Sequence, residues 1–294
     1  MRYITAVAMS ILAFSSCQEE KLNPTSIITL DNKAMNAFDE WLMVNYREPY
    51  NIDFKYRYEM NESDMSYYTV PARYDCSIIM AHLVKYLCIE TYDEVAGINF
   101  TRAYFPKMFF LIGEWEYNNN GSFILGTAEG GKKIMLSGLN YLPEHLKSAD
   151  ELNHYYIKTI HHEFTHILNQ TKEYPADFKL ITGTGYVADK CFDHPYDTSH
   201  LRRGFITDYS QHSDTEDFAE MMSEYVTHPA EWWQHMLDSA GTDAASLIRT
   251  KEQMVRNYMQ GTFNIDIDDL RATIQRRQNE VMDGKVDLSD ISIK

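Results

Sequence analysis

The 294-residue chain is poor in cysteine and in positive charge, and it contains no apolar run long enough to cross a membrane. Four cysteines are present, and beyond Cys17 only Cys76, Cys88 and Cys191 remain, an odd number that implies no disulfide framework. Cys76 and Cys88 fall on one predicted helix, where twelve residues at 1.5 Å each separate them by ~18 Å, far past bridging distance. Buried free thiols are the expectation. Lys and Arg number 27 against 43 Asp and Glu, a net charge of −16 that repels phosphate backbones and excludes nucleic acid as a partner. The longest apolar stretch at the N-terminus, Ile4 to Phe14, is about half of the ~20 residues a spanning helix needs. Repeats, low-complexity tracts and charge blocks are also missing, so one domain is expected.

The N-terminus does carry an address. Met1-Arg2 followed by that short apolar run reads as an export signal over 1–16. Phe14-Ser15-Ser16-Cys17 sets small residues before a cysteine, so cleavage ahead of Cys17 would leave its thiol free for a lipid anchor. Residues 17–30, with Pro24 among them, read as a tether. The rest, 31–294, divides into a sheet-containing lobe over 31–148 and a helical lobe over 149–294.

The chemistry centres on His161-His162-Glu163-Phe164-Thr165-His166. Residues four apart share a helix face, so His162 and His166 can grip one ion, and zinc takes neutral imidazole while keeping a position open for water. Glu163, next to the first ligand, is placed to act as general base on that water. Ser148 to Glu151 reads as a capping box, no Gly or Pro follows until Pro175, and Leu152, Tyr155 or Tyr156, Ile160, Phe164, Ile167 and Leu168 form an apolar stripe. A helix over about 149–171 is expected. The extended form of the motif would need Gly at 169 and His at 172; Asn169 and Lys172 exclude it. The third ligand is sought instead in Glu216-Asp217-Phe218-Ala219-Glu220, behind a helix start at Asp214-Thr215. Glu216 is the choice, with Glu220, one turn on, as alternative ligand or supporting carboxylate. Asp189, Asp193, His194 and His200, in a loop-rich stretch over 173–213, compete less well because none sits in a matching motif.

The pairing of H-E-F-T-H with Tyr209 and, seven residues on, E-D-F-A-E resembles the gluzincin arrangement of the lethal-factor-type metallopeptidases. That resemblance implies Glu216 as the ligand and Tyr209 as the group directed at the reacting carbonyl. More broadly, residues 30–225 resemble the zinc-binding metallopeptidase lipoproteins of Bacteroidetes. The shared pieces are Glu48 to Ile52, Leu125 to Gly131, the zinc motif, Gly204 to Thr207 and E-D-F-A-E. The resemblance implies peptidase chemistry and brings no substrate with it; the expectation is a peptidase with one zinc per chain, acting on an extracellular protein or glycoprotein. Gln18-Glu19-Glu20 after Cys17 is similar to the acidic tag that directs such lipoproteins to the outer face of the outer membrane.

The expected class is therefore α+β and zincin-like, with a small mixed sheet, an active-site helix and a mainly helical C-terminal lobe. Helices are expected over 31–46, 73–90, 230–239, 243–260 and 267–282, and strands over 52–58, 107–113, 122–125 and 133–137 around an Asn118 to Gly121 turn. If 133–137 forms the edge beside the cleft, an extended peptide can pair with it. Two other readings stay open: a surface lipoprotein that binds glycan or glycoprotein without turnover, which has no need of Glu163, and a protein whose zinc is structural, which needs four protein ligands.

Overall fold

The computed structural model describes residues 34–119, 121–193 and 199–293. The expected export signal, Cys17 and the tether lie outside the described residues. Asn36–Lys294 form one compact unit.

The first helix among the described residues, α1, is capped by Asn36; Asp31, the expected start of the helix, lies outside the described residues. The Asn36 side chain accepts from the Asp39 N–H at 2.9 Å while the Asp39 carboxylate accepts from the Asn36 N–H at 2.9 Å, a reciprocal box that was not read in the sequence. It runs Ala37–Leu42, passes through a π-turn at Met43–Arg47 and ends with Glu48–Tyr50, where Asn51 takes the left-handed conformation and stops it. Strand β1, Asp53–Lys55, follows. Helix α2 comprises Tyr74–Leu83, a π-turn Val84–Ile89 and Glu90–Ala96. Helix α3 is Ile98–Tyr104. The remaining strands are β2, Met108–Leu111; β3, Glu116–Tyr117; β4, Phe123–Ile124; β5, Gly126–Glu129; and β6, Lys133–Leu136.

The main sheet has the order β1-β2-β6-β5, with β1, β2 and β6 parallel and β5 antiparallel on the outside. Two expectations are corrected here. The strand at 107–113 does not pair across the Asn118 to Gly121 turn; that turn joins β3 to β4, and β2 enters the main sheet. Nor is 133–137 an edge: β6 lies between β2 and β5, and the edge is β5. The physical reason is pairing with distant segments on both sides of β6, and burial follows it. Ile134, Met135 and Leu136 are buried in succession, the pattern of a strand covered on both faces, whereas Gly126-Thr127-Ala128-Glu129 is short and half exposed. Phe109, Leu111, Ile134 and Leu136 face the main core, while Phe110, Ile112 and Met135 form a small separate cluster on the other face.

After the sheet comes α4, which holds the histidine motif: Ala149–Leu152, a π-turn Asn153–Ile157 and Lys158–Thr171. Ser148 Oγ accepts from the Glu151 N–H at 3.2 Å, one half of the expected box. Of the two candidate tyrosines, Tyr156 is the wholly buried one, in line with Leu152, Ile160, Phe164 and Leu168. Gly126 lets β5 lie close to this helix, since a Cβ there would stand 2.9 Å from the Thr159 methyl and 2.7 Å from the Met135 carbonyl oxygen. The edge strand thus runs beside the motif. Helices α5, Asp214–Thr227; α6, Ala230–Ala240; α7, Thr242–Phe263; and α8, Ile267–Met282 complete the chain, and α5 packs along α4. No described helix is long and apolar enough to cross a membrane. Cys76, Cys88 and Cys191 are free and buried.

Candidate metal centre

Helix α5 begins at Asp214, the expected start, and is capped by Ser213, whose Oγ accepts from the Glu216 N–H at 3.3 Å. That cap sets Glu216 in the first turn, facing α4. His162 Nε2 stands 3.0 Å from Glu216 Oε2, His166 Nε2 stands 3.1 Å from it, and the two imidazole nitrogens are 3.0 Å apart. Three ligand atoms from residues 162, 166 and 216 therefore make a near-equilateral triangle. At zinc's ~2.0–2.2 Å ligand distances, tetrahedral neighbours lie about 3.4 Å apart, so an ion just above this triangle fits with little movement.

The donor set itself tests the fit. Two neutral imidazoles meeting at their lone pairs repel unless a cation or proton lies between them, and an adjoining carboxylate supplies the negative charge that a dication requires. Among the described residues, the converging group has these three members. A closed structural site normally has four, while a catalytic site leaves one position to water. Burial by itself would lower the His162 pKa, but the Glu216 and Glu220 carboxylates outweigh it and raise it to about 10. Burial likewise opposes ionisation of Glu216, yet the two imidazoles hold its carboxyl well below the ordinary range. The local field thus favours positive charge where the three ligands meet.

The supporting residues come from the same two helices and the loop between them. Glu220 Oε1 lies 2.8 Å from His162 Nδ1, the nitrogen turned away from the ligand triangle. The approach is too bent to be a formed hydrogen bond, and it acts as an ion-pair contact that favours a proton on Nδ1 and leaves the Nε2 lone pair free. Of the two roles open to Glu220, the geometry gives that of supporting carboxylate. Thr207 Oγ1 donates to Glu220 Oε2 at 2.7 Å, and Lys158 Nζ is 3.2 Å from the same oxygen.

Glu163 lies next to the first histidine on α4, and the backbone of Ala128 on the edge strand is among the groups that favour its ionised form. Burial, partly offset by the nearby imidazoles, raises its pKa above the usual carboxylate value. Tyr209 opens the short turn Tyr209–Gln211, and its ring centroid is 5.9 Å from that of His162. Burial, together with the carboxylates of Glu216, Glu220 and Glu163, pushes the phenol well above its ordinary value, so it keeps its proton at neutral pH. His161 belongs to the core: its Nδ1 is 3.1 Å from the Tyr92 hydroxyl, and burial lowers its pKa to about 3.

The other sequence candidates lie elsewhere. Asp189 pairs with His212 at 3.3 Å and His200 with Asp208 at 3.0 Å; neither pair joins the converging group, nor does Asp193, and His194 lies outside the described residues. Tyr225, on α5 beyond the ligand turn, donates to Asp268 at 2.5 Å. Trp233 is core, with its indole N–H on Glu252, and Trp232 stacks on His228. The sequence reading missed Lys158, Thr207 and the buried pair of Asp217 and Lys251. A signal for the first was present: Lys158, His162 and His166 repeat every four residues, as do Glu216, Glu220 and Glu224.

Fold and site together define a class, an α+β zincin-like protein whose H-E-x-x-H helix faces a second helix bearing an acidic ligand. A family model described as "Putative zinc-binding metallo-peptidase" matches residues 31–268. A crystal structure described as a putative zinc-binding metallo-peptidase from Bacteroides caccae ATCC 43185 is 40% identical, with 91% of this chain and 100% of that chain covered and a TM-score of 0.76. The chain belongs to this zinc-binding metallo-peptidase family. No curated protein matches it.

Proposed function

We propose that the protein is a zinc-dependent peptidase that hydrolyses peptide bonds of an extracellular protein or glycoprotein. The observation that carries this reading is the convergence of His162 Nε2, His166 Nε2 and Glu216 Oε2 within 3.0–3.1 Å of one another, with Glu163 between the two ligand histidines in sequence. A bound zinc ion would supply Lewis acidity, lowering the pKa of a water molecule toward neutrality. The chain's own residues do the rest. Glu163, whose carboxyl pKa is raised by burial, takes the proton of the attacking water and passes it to the leaving amine. Tyr209, kept protonated by burial and the carboxylates around it, donates to the carbonyl oxygen as negative charge builds there, an interaction stronger in the transition state than in the bound substrate. The free edge of β5, beside α4, offers backbone groups to an extended peptide.

A mixed peptide library incubated with the purified chain, with and without chelator, tests this directly. Cleavage should stop on chelation and return with zinc, and Glu163→Gln should retain zinc while turnover falls by ~10² to 10⁴. Zinc binding without cleavage of any peptide would refute the peptidase reading in favour of a surface binding protein. We further propose that the mature chain is anchored by a lipid on Cys17 at the outer membrane and exposed on the cell surface. The supports are the short apolar run, the small residues before Cys17 and the acidic residues after it. Fatty-acid labelling of the wild type but not of Cys17→Ala is expected, with loss of the domain on mild protease treatment of intact cells. Labelling of both forms, or protection from protease, would refute anchoring or exposure respectively.

A further inference from the structure

Helices α4 and α5 meet along a buried polar seam built on a four-residue repeat. Glu216 faces His162 and His166, Glu220 faces His162 and Lys158, and Glu224 faces Lys158. The alignment runs antiparallel, so each carboxylate of α5 bridges two cationic or imidazole groups of α4, or ends on one. Lys158 lies four residues before the first ligand and touches no atom of the ligand triangle. Its ammonium is 3.3 and 3.2 Å from the two oxygens of Glu220 and 3.2 Å from Glu224 Oε1.

We propose that Lys158 is a positioning residue for metal binding: its ammonium fixes the Glu220 carboxylate against His162 Nδ1, so that the Lys158–Glu220 pair governs how tightly the site holds its ion. The inference rests on the metal-binding half of the function proposed above. Glu220 and Glu224 are one turn apart on the same helix and both are buried, so their charges repel in a setting where water cannot screen them. Lys158 is the cation that both share. It straddles both oxygens of Glu220, while Oε1 also faces His162 and Oε2 also accepts from Thr207, which leaves the carboxylate no freedom to turn. Without the ammonium, Glu220 keeps Thr207 on Oε2 and His162 on Oε1 but is pushed by Glu224 with no shared cation between them. His162 then loses the fixed partner that orients its ring. A lysine that merely filled space would spread its stem along apolar neighbours and send its charge to water; here the charge points inward.

Zinc affinity of the full chain, measured by competition with a chromophoric chelator, tests the proposal together with the visible spectrum of the cobalt-loaded protein. Lys158→Met should weaken zinc by ~10- to 100-fold and alter the cobalt bands, the cost usual for losing a group that supports a metal-ligating histidine. Lys158→Arg should restore most of the affinity. In a Glu220→Gln background, Lys158→Met should add less than about threefold, because its effect passes through Glu220. Unchanged affinity in a folded Lys158→Met protein would overturn the proposal, as would a loss of equal size in the Glu220→Gln background. If Lys158→Met does not fold, Glu224→Gln decides: it leaves Lys158 to Glu220 alone, so affinity should hold or tighten, and a loss of about tenfold or more would overturn the proposal. A wild-type chain that binds no zinc would instead refute the metallopeptidase reading itself.

Discussion

Replacing Lys251 by Met should be among the most damaging single changes outside the ligand set. Lys251 on α7 and Asp217 on α5 are both fully buried, with Nζ and Oδ2 2.5 Å apart. The ammonium also donates to the Gly204 carbonyl at 2.8 Å and lies 4.0 Å from the Phe205 ring centroid, while Tyr186 donates to Asp217 Oδ2 at 2.9 Å. Burial pushes Asp217 up to about 6 and Lys251 down, each toward its neutral form, but Asp217 remains ionised at neutral pH. Removing one member of such a pair typically costs 3–5 kcal/mol because the other charge is left buried and unpaired. Two features set the expectation at the lower end, about 3 kcal/mol: Met nearly fills the lysine's volume, and Tyr186 still bonds the carboxylate. For a domain of this size the melting temperature should then fall by roughly 6–12 °C. Urea and thermal unfolding of Lys251→Met measure it, and Asp217→Leu combined with Lys251→Met should recover most of the loss. Zinc affinity should fall as well, since Asp217 adjoins Glu216 and Gly204 leads into Thr207 and Tyr209. A loss below about 1 kcal/mol in the single variant would refute the claim that this pair ties the loop before Tyr209 to the ligand helix.

Tyr209→Phe should lower kcat by ~10² to 10³ with zinc content and melting unchanged, as steady-state kinetics and metal analysis would show; normal turnover would remove the phenol from the reaction. Glu216→Gln should weaken zinc at least as much as the ~10- to 100-fold expected for a supporting residue, since it removes the site's one ligand charge, and chelator competition reads this directly. Glu116 is buried on β3, and burial, reinforced by Asp64 and Glu129, raises its pKa from 4.5 to about 7. The native state therefore keeps this proton while the unfolded chain gives it up, so stability should fall as pH rises from about 4.5 to 7 and stay lower above that. Urea midpoints across this range should lose that slope in Glu116→Gln; an identical slope would assign it to other groups.

Much of the site was legible because helical periodicity is a local property. His162 and His166 share a face at any i,i+4 spacing on a helix, and an acidic motif behind Ser213 or Asp214 opens another helix, so the candidate ligands could be named from residue types and spacing, with the choice between Glu216 and Glu220 left open. The boundaries of α4 and α8 followed for the same reason, from caps and from runs without Gly or Pro, whereas α7 runs three residues past its expected end, through Gly261 to Phe263. Whatever depends on pairing between distant segments was beyond that logic. Strand order is one case: Lys133 to Leu136 alternates no more clearly than an edge strand, and only burial by both β2 and β5 makes it interior. The cap of α1 is another, because Asn36 is one of several competent capping residues in sequence and its reciprocal bond with Asp39 appears only in the folded chain. The roles of Lys158, Thr207, Asp217 and Lys251 are the third. Each is an ordinary polar residue in sequence, and each meets its partner only when α5 packs against α4, α7 and the loop before Tyr209, since burial is what turns a surface charge into one that must have a particular partner.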